Sequence, residues 1–262
     1  MSTTPLLPAK PKDVYFFATC VVDQFYPDAG MDAITLLERQ GIRVHFPEDQ
    51  TCCGQPAYTS GFHDEARQVA AHQLTLFPND WPVIVPSGSC AGMMKHHYPA
   101  LFAKDPQRKL QADALSARIY EFTQFLVDVL DYKPQDHGSD CTVVLHTSCS
   151  ARREMGVHLS GRKLLGELSQ VTIAQQDHES ECCGFGGTFS IKQPEISGAM
   201  VEDKLKALKA TGAERVVSAD CGCLMNILGH AAWKDAQEGR AKPSLPGEHI
   251  ASFLLRRTGG AQ

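Results

Sequence analysis

The chain alternates between short apolar runs and longer amphipathic stretches. Four runs rich in Val, Ile and Phe end on or near a cysteine: Phe16-Phe17-Ala18-Thr19-Cys20, Val83-Ile84-Val85-Pro86-Ser87-Gly88-Ser89-Cys90, Val144-Leu145-His146-Thr147-Ser148-Cys149 and Val216-Val217-Ser218-Ala219-Asp220-Cys221-Gly222-Cys223. Runs of this length and composition predict buried strands. Helical spacing follows. Met31, Ile34 and Leu37 fall on one face of a segment that Asp28 is placed to cap; Phe62, Ala66, Val69 and Leu76 form a second such face, and Ile196, Met200, Leu205 and Leu208 a third. Residues 116–131 also read as helix, and His249 is placed in a C-terminal helix that ends on Phe253-Leu254-Leu255. Strands alternating with helices predict an α/β fold with parallel strands covered by helices.

The pattern occurs twice. Cys52-Cys53-Gly54 and Cys182-Cys183-Gly184 are adjacent pairs, each preceded by a lone cysteine and followed by another. In the first half 31 and then 36 residues separate them; in the second, 32 and then 37 or 39. The offset is about 130 residues, half the chain, which is the signature of an internal repeat. The expected architecture is two pseudo-twofold-related repeats, each a small, mostly parallel sheet covered by helices. The polar, turn-rich stretch Lys133-Pro134-Gln135-Asp136-His137-Gly138-Ser139 places the boundary between repeats 1–135 and 136–262.

Composition narrows the chemistry. The 262 residues carry a net charge of −5, which disfavours sequence-independent nucleic-acid binding. No apolar run reaches the length of a membrane span, and the N-terminal stretch lacks the charge and apolar pattern of a signal peptide. A cytoplasmic protein is expected, where structural disulfides rarely persist. The ten cysteines therefore need another use.

In parallel α/β units ligands bind at the carboxyl ends of the strands. Cys20, Cys90, Cys149 and Cys223 lie at those ends, and the adjacent pairs lie in glycine-bearing loops before helices. Cys20, Cys52, Cys53 and Cys90 are thus expected to converge in the first half, and Cys149, Cys182, Cys183 and Cys223 in the second. Neighbouring side chains diverge, which suits an iron–sulfur cluster whose irons are spread over several ångströms. Structural zinc, which takes closely spaced thiolates, and vicinal-dithiol redox chemistry are the alternatives. Gly54, Gly184, Gly186 and Gly187 would let backbone N–H groups approach cluster sulfur.

Several other residues have plain readings. Cys141 and Cys221 fall outside the repeat and are expected to be small buried hydrophobes, and Met93 to be core packing. His96-His97 faces apart on a helix and is assigned to the surface. His146 is placed to orient a ligand or simply to hydrogen bond at a strand end. Asp220 and Gln55 are placed to bond near the clusters or to cap turns, and Arg152-Arg153 to offset cluster charge or to form a solvated face.

These motifs resemble the cysteine-rich (CCG) domain family, found in the cysteine-rich subunit of heterodisulfide reductase and in glycolate oxidase iron–sulfur subunits. The resemblance is carried by Phe46-Pro47-Glu48, Cys52-Cys53-Gly54-Gln55-Pro56-Ala57, Ser87-Gly88-Ser89-Cys90, His146-Thr147-Ser148-Cys149, the run Glu181 to Ser190, Glu195-Ile196-Ser197-Gly198 and Cys223-Leu224-Met225-Asn226. It extends over residues 13–255. It implies an iron–sulfur protein, with one [4Fe–4S] cluster per repeat or zinc in one of them, acting as an oxidoreductase subunit rather than a complete enzyme. The implied partners are a ferredoxin-like iron–sulfur protein (lactate-utilisation protein B) and a third protein (lactate-utilisation protein C), which together oxidise L-lactate to pyruvate; contact with the membrane would come only through such partners. The chain departs from the heterodisulfide reductase pattern at the end of each repeat, where Cys-x-x-Cys is replaced by Cys90-x-x-Met93 and Cys223-x-x-Asn226. Four thiolates per half suit a simpler cluster. The chain has no ferredoxin-type C-x₂-C-x₂-C-x₃-C-P run and no strand–helix G-x-G-x-x-G, so a hydride acceptor is expected on a partner. The second half has the richer glycine loop and is the expected redox site if only one half is.

Overall fold

The computed structural model describes residues 10–259. Eight strands form two sheets of the same design. In the first, β1 (Asp13–Phe16), β2 (Arg43–His45), β3 (Val83–Val85) and β4 (Ile119–Glu121) lie in the order β2-β1-β3-β4; in the second, β5 (Cys141–His146), β6 (Val171–Ala174), β7 (Arg215–Ser218) and β8 (Gly247–His249) lie in the order β6-β5-β7-β8. Every pairing is parallel. The central strands have apolar, buried middles, as parallel strands covered on both faces require: Val83, Ile84 and Val85 are fully buried, as are Val143, Val144, Val216 and Val217. Strand order reverses between β1 and β3 and again between β5 and β7. Chains leaving these neighbours run to opposite sides and open a crevice at their carboxyl ends.

The halves share one interior. A continuous apolar core joins Phe16, Val85 and Phe125 of the first half to Leu145, Leu164 and Phe253 of the second. Each half also lends its last helix to the other. The helix Ile250–Arg257 packs on the helix Pro27–Arg39, and Phe122–Gln124 packs on Val157–Gly166. The stretch 133–139 is pinned between them. Arg257 donates from Nε and Nη2 to the two Asp136 oxygens at 2.7 and 2.6 Å, and from Nη1 to the Ser139 carbonyl at 2.6 Å. Both members of this fork are buried, which makes the geometry costly to break.

Three sequence expectations need correction. In the helix Pro27–Arg39 the inward face is Ala29, Gly30, Ala33, Leu36 and Leu37, while Met31 is exposed and Asp28 lies inside the first turn behind Tyr26. The cause is close packing: a Cβ on Gly30 would lie 3.2 Å from Val22, so small residues face in and a stripe of large apolar residues misplaces the face. Phe62 and Ile196 are exposed as well, while the helices His63–Gln73 and Pro194–Ala210 turn the expected Ala66 and Leu205 inward together with Ala70 and Val201. Residues 116–131 are not one helix. Ile119–Glu121 pairs with β3, and helix begins only at Phe122, because tertiary pairing overrides local periodicity in a strand this short. His249 closes β8 rather than lying within the last helix. Its Nδ1 accepts from the Ala251 N–H at 3.1 Å, and its Nε2 donates to the Pro86 carbonyl of the first half at 3.0 Å.

Candidate metal centre

Cys20 opens the helix Cys20–Phe25 directly after β1, and Cys90 lies in the helix Gly88–Gly92 after β3. Cys149 and Cys223 occupy the same places after β5 and β7. The adjacent pairs follow β2 and β6 and reach the same rim. Thr19, a β-branched residue at φ 66°, sets the entry to Cys20; this is a sparsely populated conformation that folds retain mainly where a site over-determines it.

Within each half the four thiols lie close enough to shift one another's ionisation. Cys20 meets Cys52, Cys52 meets Cys53, and Cys53 meets Cys90; Cys149, Cys182, Cys183 and Cys223 repeat the sequence. The first member of each pair holds the negative charge. Hydrogen bonds from Cys20 and Cys53 draw the Cys52 thiol down to about 3, and those from Cys149 and Cys183 draw Cys182 down to about 2. The donors are pushed up correspondingly: Cys20, Cys53, Cys149 and Cys183 all lie above the usual thiol range. A backbone donor adds to each thiolate. The Gly54 N–H lies 3.4 Å from Cys52 Sγ, and the Gly184 N–H lies 3.4 Å from Cys182 Sγ.

That donation depends on a left-handed glycine in each loop, with φ 86° at Gly54 and 84° at Gly184. The two are not equally replaceable. A Cβ on Gly54 would meet the Ala66 carbonyl at an ordinary 3.4 Å, whereas one on Gly184 would sit 2.6 Å from the Ser197 carbonyl. Gly54→Ala is expected to cost about 1–2 kcal/mol, the penalty of a left-handed non-glycine residue. Gly184→Ala adds a backbone collision and is expected to cost at least twice that, displacing the second thiol pair. Chemical denaturation of the two variants side by side checks the ordering.

The carbonyl of the buried cysteine in each pair is held by a polar group from the helix beyond the last ligand. Tyr98 Oη donates to Cys53 O at 2.9 Å, and Asn226 Nδ2 donates to Cys183 O at 2.8 Å. Asn226 therefore braces the pair. Met93 is fully buried in the core, as expected.

The two thiol rows open onto a single cavity of about 440 Å³ between the halves, and all eight cysteines line it. At its floor is Asp220, buried at 3% exposure. Its Oδ1 accepts from Ser87 Oγ (2.9 Å), Ser89 Oγ (2.7 Å) and the Ser89 N–H (3.3 Å), and its Oδ2 accepts from Ser148 Oγ (2.8 Å). One carboxylate thus joins the loop before Cys90, the loop before Cys149 and the loop before Cys223. Burial pushes its pKa up, and the serine hydrogen bonds oppose that shift. The serines are legible in the sequence only as repeated neighbours of the cysteines; nothing in their spacing announces a common acceptor.

The remaining candidates divide between the cavity, the interface and the core. Gly186 and Gly187 line the cavity; a Cβ on Gly187 would meet Pro56 of the other half at 3.6 Å, and one on Gly186 would meet Phe189 of its own loop at 2.8 Å. Cys221 is buried against Val22 and Ala29, but also reaches the cavity wall; Cys141 is only half-buried, near the Arg257 guanidinium. His96 is exposed, as expected, whereas His97 lines the cavity 3.4 Å from Glu154. Both follow Cys90 through a π-helical turn, Met93–His97, which rotates His97 back toward the cavity. Arg153 also lines the cavity, while Arg152 is turned away into an ion pair with Glu179 at 2.5 Å. Gln55 reaches Ser150 Oγ across the interface at 3.5 Å. His146 is fully buried and makes no hydrogen bond from either ring nitrogen among the described residues, so the simple hydrogen-bonding reading fails. Burial, then Lys204, pushes its pKa down to about 3 and keeps the imidazole neutral.

Four neighbouring thiols, one of them with its pKa drawn down and faced by a backbone N–H, fit a metal centre in each half.

The cysteine-rich (CCG) domain profile matches residues 14–95 and 143–228, one match per half, and the chain belongs to this family. Its relatives narrow the group. The chain is 45% identical over 244 residues to lactate utilization protein A of Shouchella clausii (strain KSM-K16), covering 92% of this chain and 98% of the relative. It is 46% identical to lactate utilization protein A 1 of Bacillus mycoides (strain KBAB4), covering 94% and 99%, and 42% identical to lactate utilization protein A of Bacillus subtilis (strain 168), covering 93% and 99%. Among solved structures, a hypothetical protein from Helicobacter pylori aligns with a TM-score of 0.68 at 12% identity, over 98% of this chain and 51% of that one; it shares the fold. No helix among the described residues is long and apolar enough to cross a membrane.

Proposed function

We propose that this protein is an iron–sulfur electron-transfer subunit of an L-lactate-oxidising system. The observation that carries this reading is the doubled thiol row opening on one cavity. Cys20, Cys52, Cys53 and Cys90 would hold one centre, and Cys149, Cys182, Cys183 and Cys223 the other. A [4Fe–4S] cluster bound at such a site supplies one-electron redox chemistry. The chain's own residues set the conditions. The Gly54 and Gly184 N–H groups offset negative charge on the sulfur atoms, and the apolar core behind Cys53 and Cys183 excludes water. Asp220 and its serines fix the distance between the halves.

The names of the relatives point to lactate utilisation as the setting. The ferredoxin-like lactate-utilisation protein B and lactate-utilisation protein C then provide the hydride acceptor and the onward wiring, and the cytoplasm is the proposed location. The second half, with its longer glycine loop, is the proposed redox site if only one half turns over. A second reading places zinc in that half. It is favoured by a buried imidazole nitrogen lying within 4.8 Å of the Cys183 and Cys223 sulfur atoms, a donor mixture that zinc accepts readily.

Anaerobic purification with iron, acid-labile sulfide and zinc analysis tests both readings. Iron and sulfide in both halves are expected, with lactate-dependent reduction of the chromophore once the two partner proteins are added. A colourless protein with two zinc ions and no sulfide after reconstitution overturns the electron-transfer reading.

A further inference from the structure

The halves are alike in fold and in their cysteines, but one position beside the thiols breaks the repeat. Three residues before Cys20 stands Phe17, a fully buried ring packed edge-on against Phe77 at 6.4 Å. Three residues before Cys149, at the end of β5, stands His146, equally buried. Its two ring nitrogens lack any hydrogen-bond partner among the described residues. The polar atoms beside it are sulfur: one ring nitrogen, Cys183 Sγ and Cys223 Sγ all lie within 4.8 Å of one another.

A buried polar group without a partner costs about 1–3 kcal/mol, and an imidazole has two such nitrogens. A phenylalanine at the matching place in the first half leaves no polar atom to satisfy. Retaining histidine in so dry a position is accounted for if a nitrogen lone pair has a ligand that hydrogen bonding does not reveal. Movements of about an ångström or less bring the three donors to the separations of a shared metal ion, whose bonds run about 2.0–2.3 Å. The polar side chains around it direct hydrogen bonds or ion pairs elsewhere, and none bonds to either ring nitrogen among the described residues. Lys204 Nζ donates to the His178 carbonyl at 2.6 Å, Asn226 Nδ2 is bound to Cys183 O, and Arg152 is paired with Glu179.

We propose that His146 is a direct metal ligand of the second centre, which therefore has a mixed thiolate–imidazole donor set, while the first centre is bound by thiolates alone. This rests on the reading that the second half holds a metal. The two centres are then chemically inequivalent. An imidazole carries no charge and gives less electron density to iron than a thiolate, so a second-half cluster in which His146 takes the place of one thiolate has the higher reduction potential of the two. Electrons entering from the first half run downhill to the second.

The test uses the full chain carrying Cys53→Ser, in which only the second centre is expected to keep its metal, purified anaerobically with natural and with ¹⁵N-labelled histidine. Pulsed electron paramagnetic resonance of the reduced protein is expected to show a directly bonded nitrogen that changes with the label and disappears in His146→Phe. That substitution copies the first half and preserves packing; His146→Gln serves as a second variant. If the bound metal is zinc, the X-ray absorption fine structure at its edge is expected to show one imidazole among sulfur neighbours, lost in the same variants. The midpoint potential of an iron centre is expected to fall in His146→Phe. Metal bound in the second half with no directly bonded nitrogen, or a spectrum identical in His146→Phe, overturns the ligand assignment and leaves the metal reading standing. A second half free of metal overturns both.

Discussion

Exchanging Cys53 for serine is expected to strip the metal from the first half and leave the second loaded, and Cys183→Ser to do the reverse. Metal content per chain should fall about two-fold in either variant and vanish in the double variant. The reasoning lies in the thiol rows. Cys53 bridges Cys52 and Cys90, and Cys183 bridges Cys182 and Cys223, so each variant breaks its row in the middle. A serine hydroxyl fills nearly the same space but stays protonated where a metal-bound thiol ionises, and ligand affinity depends on that ionisation. Tyr98 and Asn226 bind backbone carbonyls and hold the loops in place in either variant. The opposing case is a single centre shared across the cavity. All eight cysteines line that one space, so the geometry alone admits it. Loss of all metal from either single variant, by elemental analysis at matched protein concentration, would sink the two-centre arrangement.

Removing the Asp220 carboxylate is the second large effect. Asp220→Ala leaves Ser87, Ser89 and Ser148 without their common acceptor at the point where the halves meet. Each lost buried hydrogen bond to a charged group is worth about 1.5–3 kcal/mol, partly returned because a buried carboxylate is itself costly. A net loss of about 3 kcal/mol is expected, read as a lower denaturation midpoint. Asp220→Asn keeps one oxygen acceptor and places an amide opposite Ser148, whose hydroxyl can turn to accept from it. It should lose less than half as much. Equal losses in the two variants would show that shape, not the acceptor, holds the interface. Metal retention should follow the same order, because Cys90, Cys149 and Cys223 all adjoin residues that Asp220 ties together.

The helix faces show where sequence patterning reaches its limit. The spacing of apolar residues places these helices along the chain, yet Met31, Phe62 and Ile196 point to solvent while Ala29, Ala70 and Val201 face inward. Where elements approach closely, small residues occupy the contact and the largest side chains are displaced from it. Strands β4 and β8 leave no signal in the sequence because three residues are too few to show a period; they exist through pairing with β3 and β7. Asp220 reads as a turn cap or a neighbour of the site, and its three serines come from segments far apart in the chain.

The cysteines divide the same way. Their doubled spacing is enough to define the repeat, the parallel α/β design and eight ligand candidates, because a strand end and the loop after it place a side chain on the rim by local geometry alone. Cys141 and Cys221 fall outside the pattern on the same grounds. Only the tertiary structure decided that both sets face one cavity, that each half gives its last helix to the other, and that His146 is buried among sulfur atoms with no hydrogen bond while Phe17 fills the matching place. These are relations between segments far apart in the chain, such as Ile250–Arg257 with Pro27–Arg39 and His146 with Cys183 and Cys223. A sequence records them only as resemblance between halves, whereas packing gives each half a different neighbour.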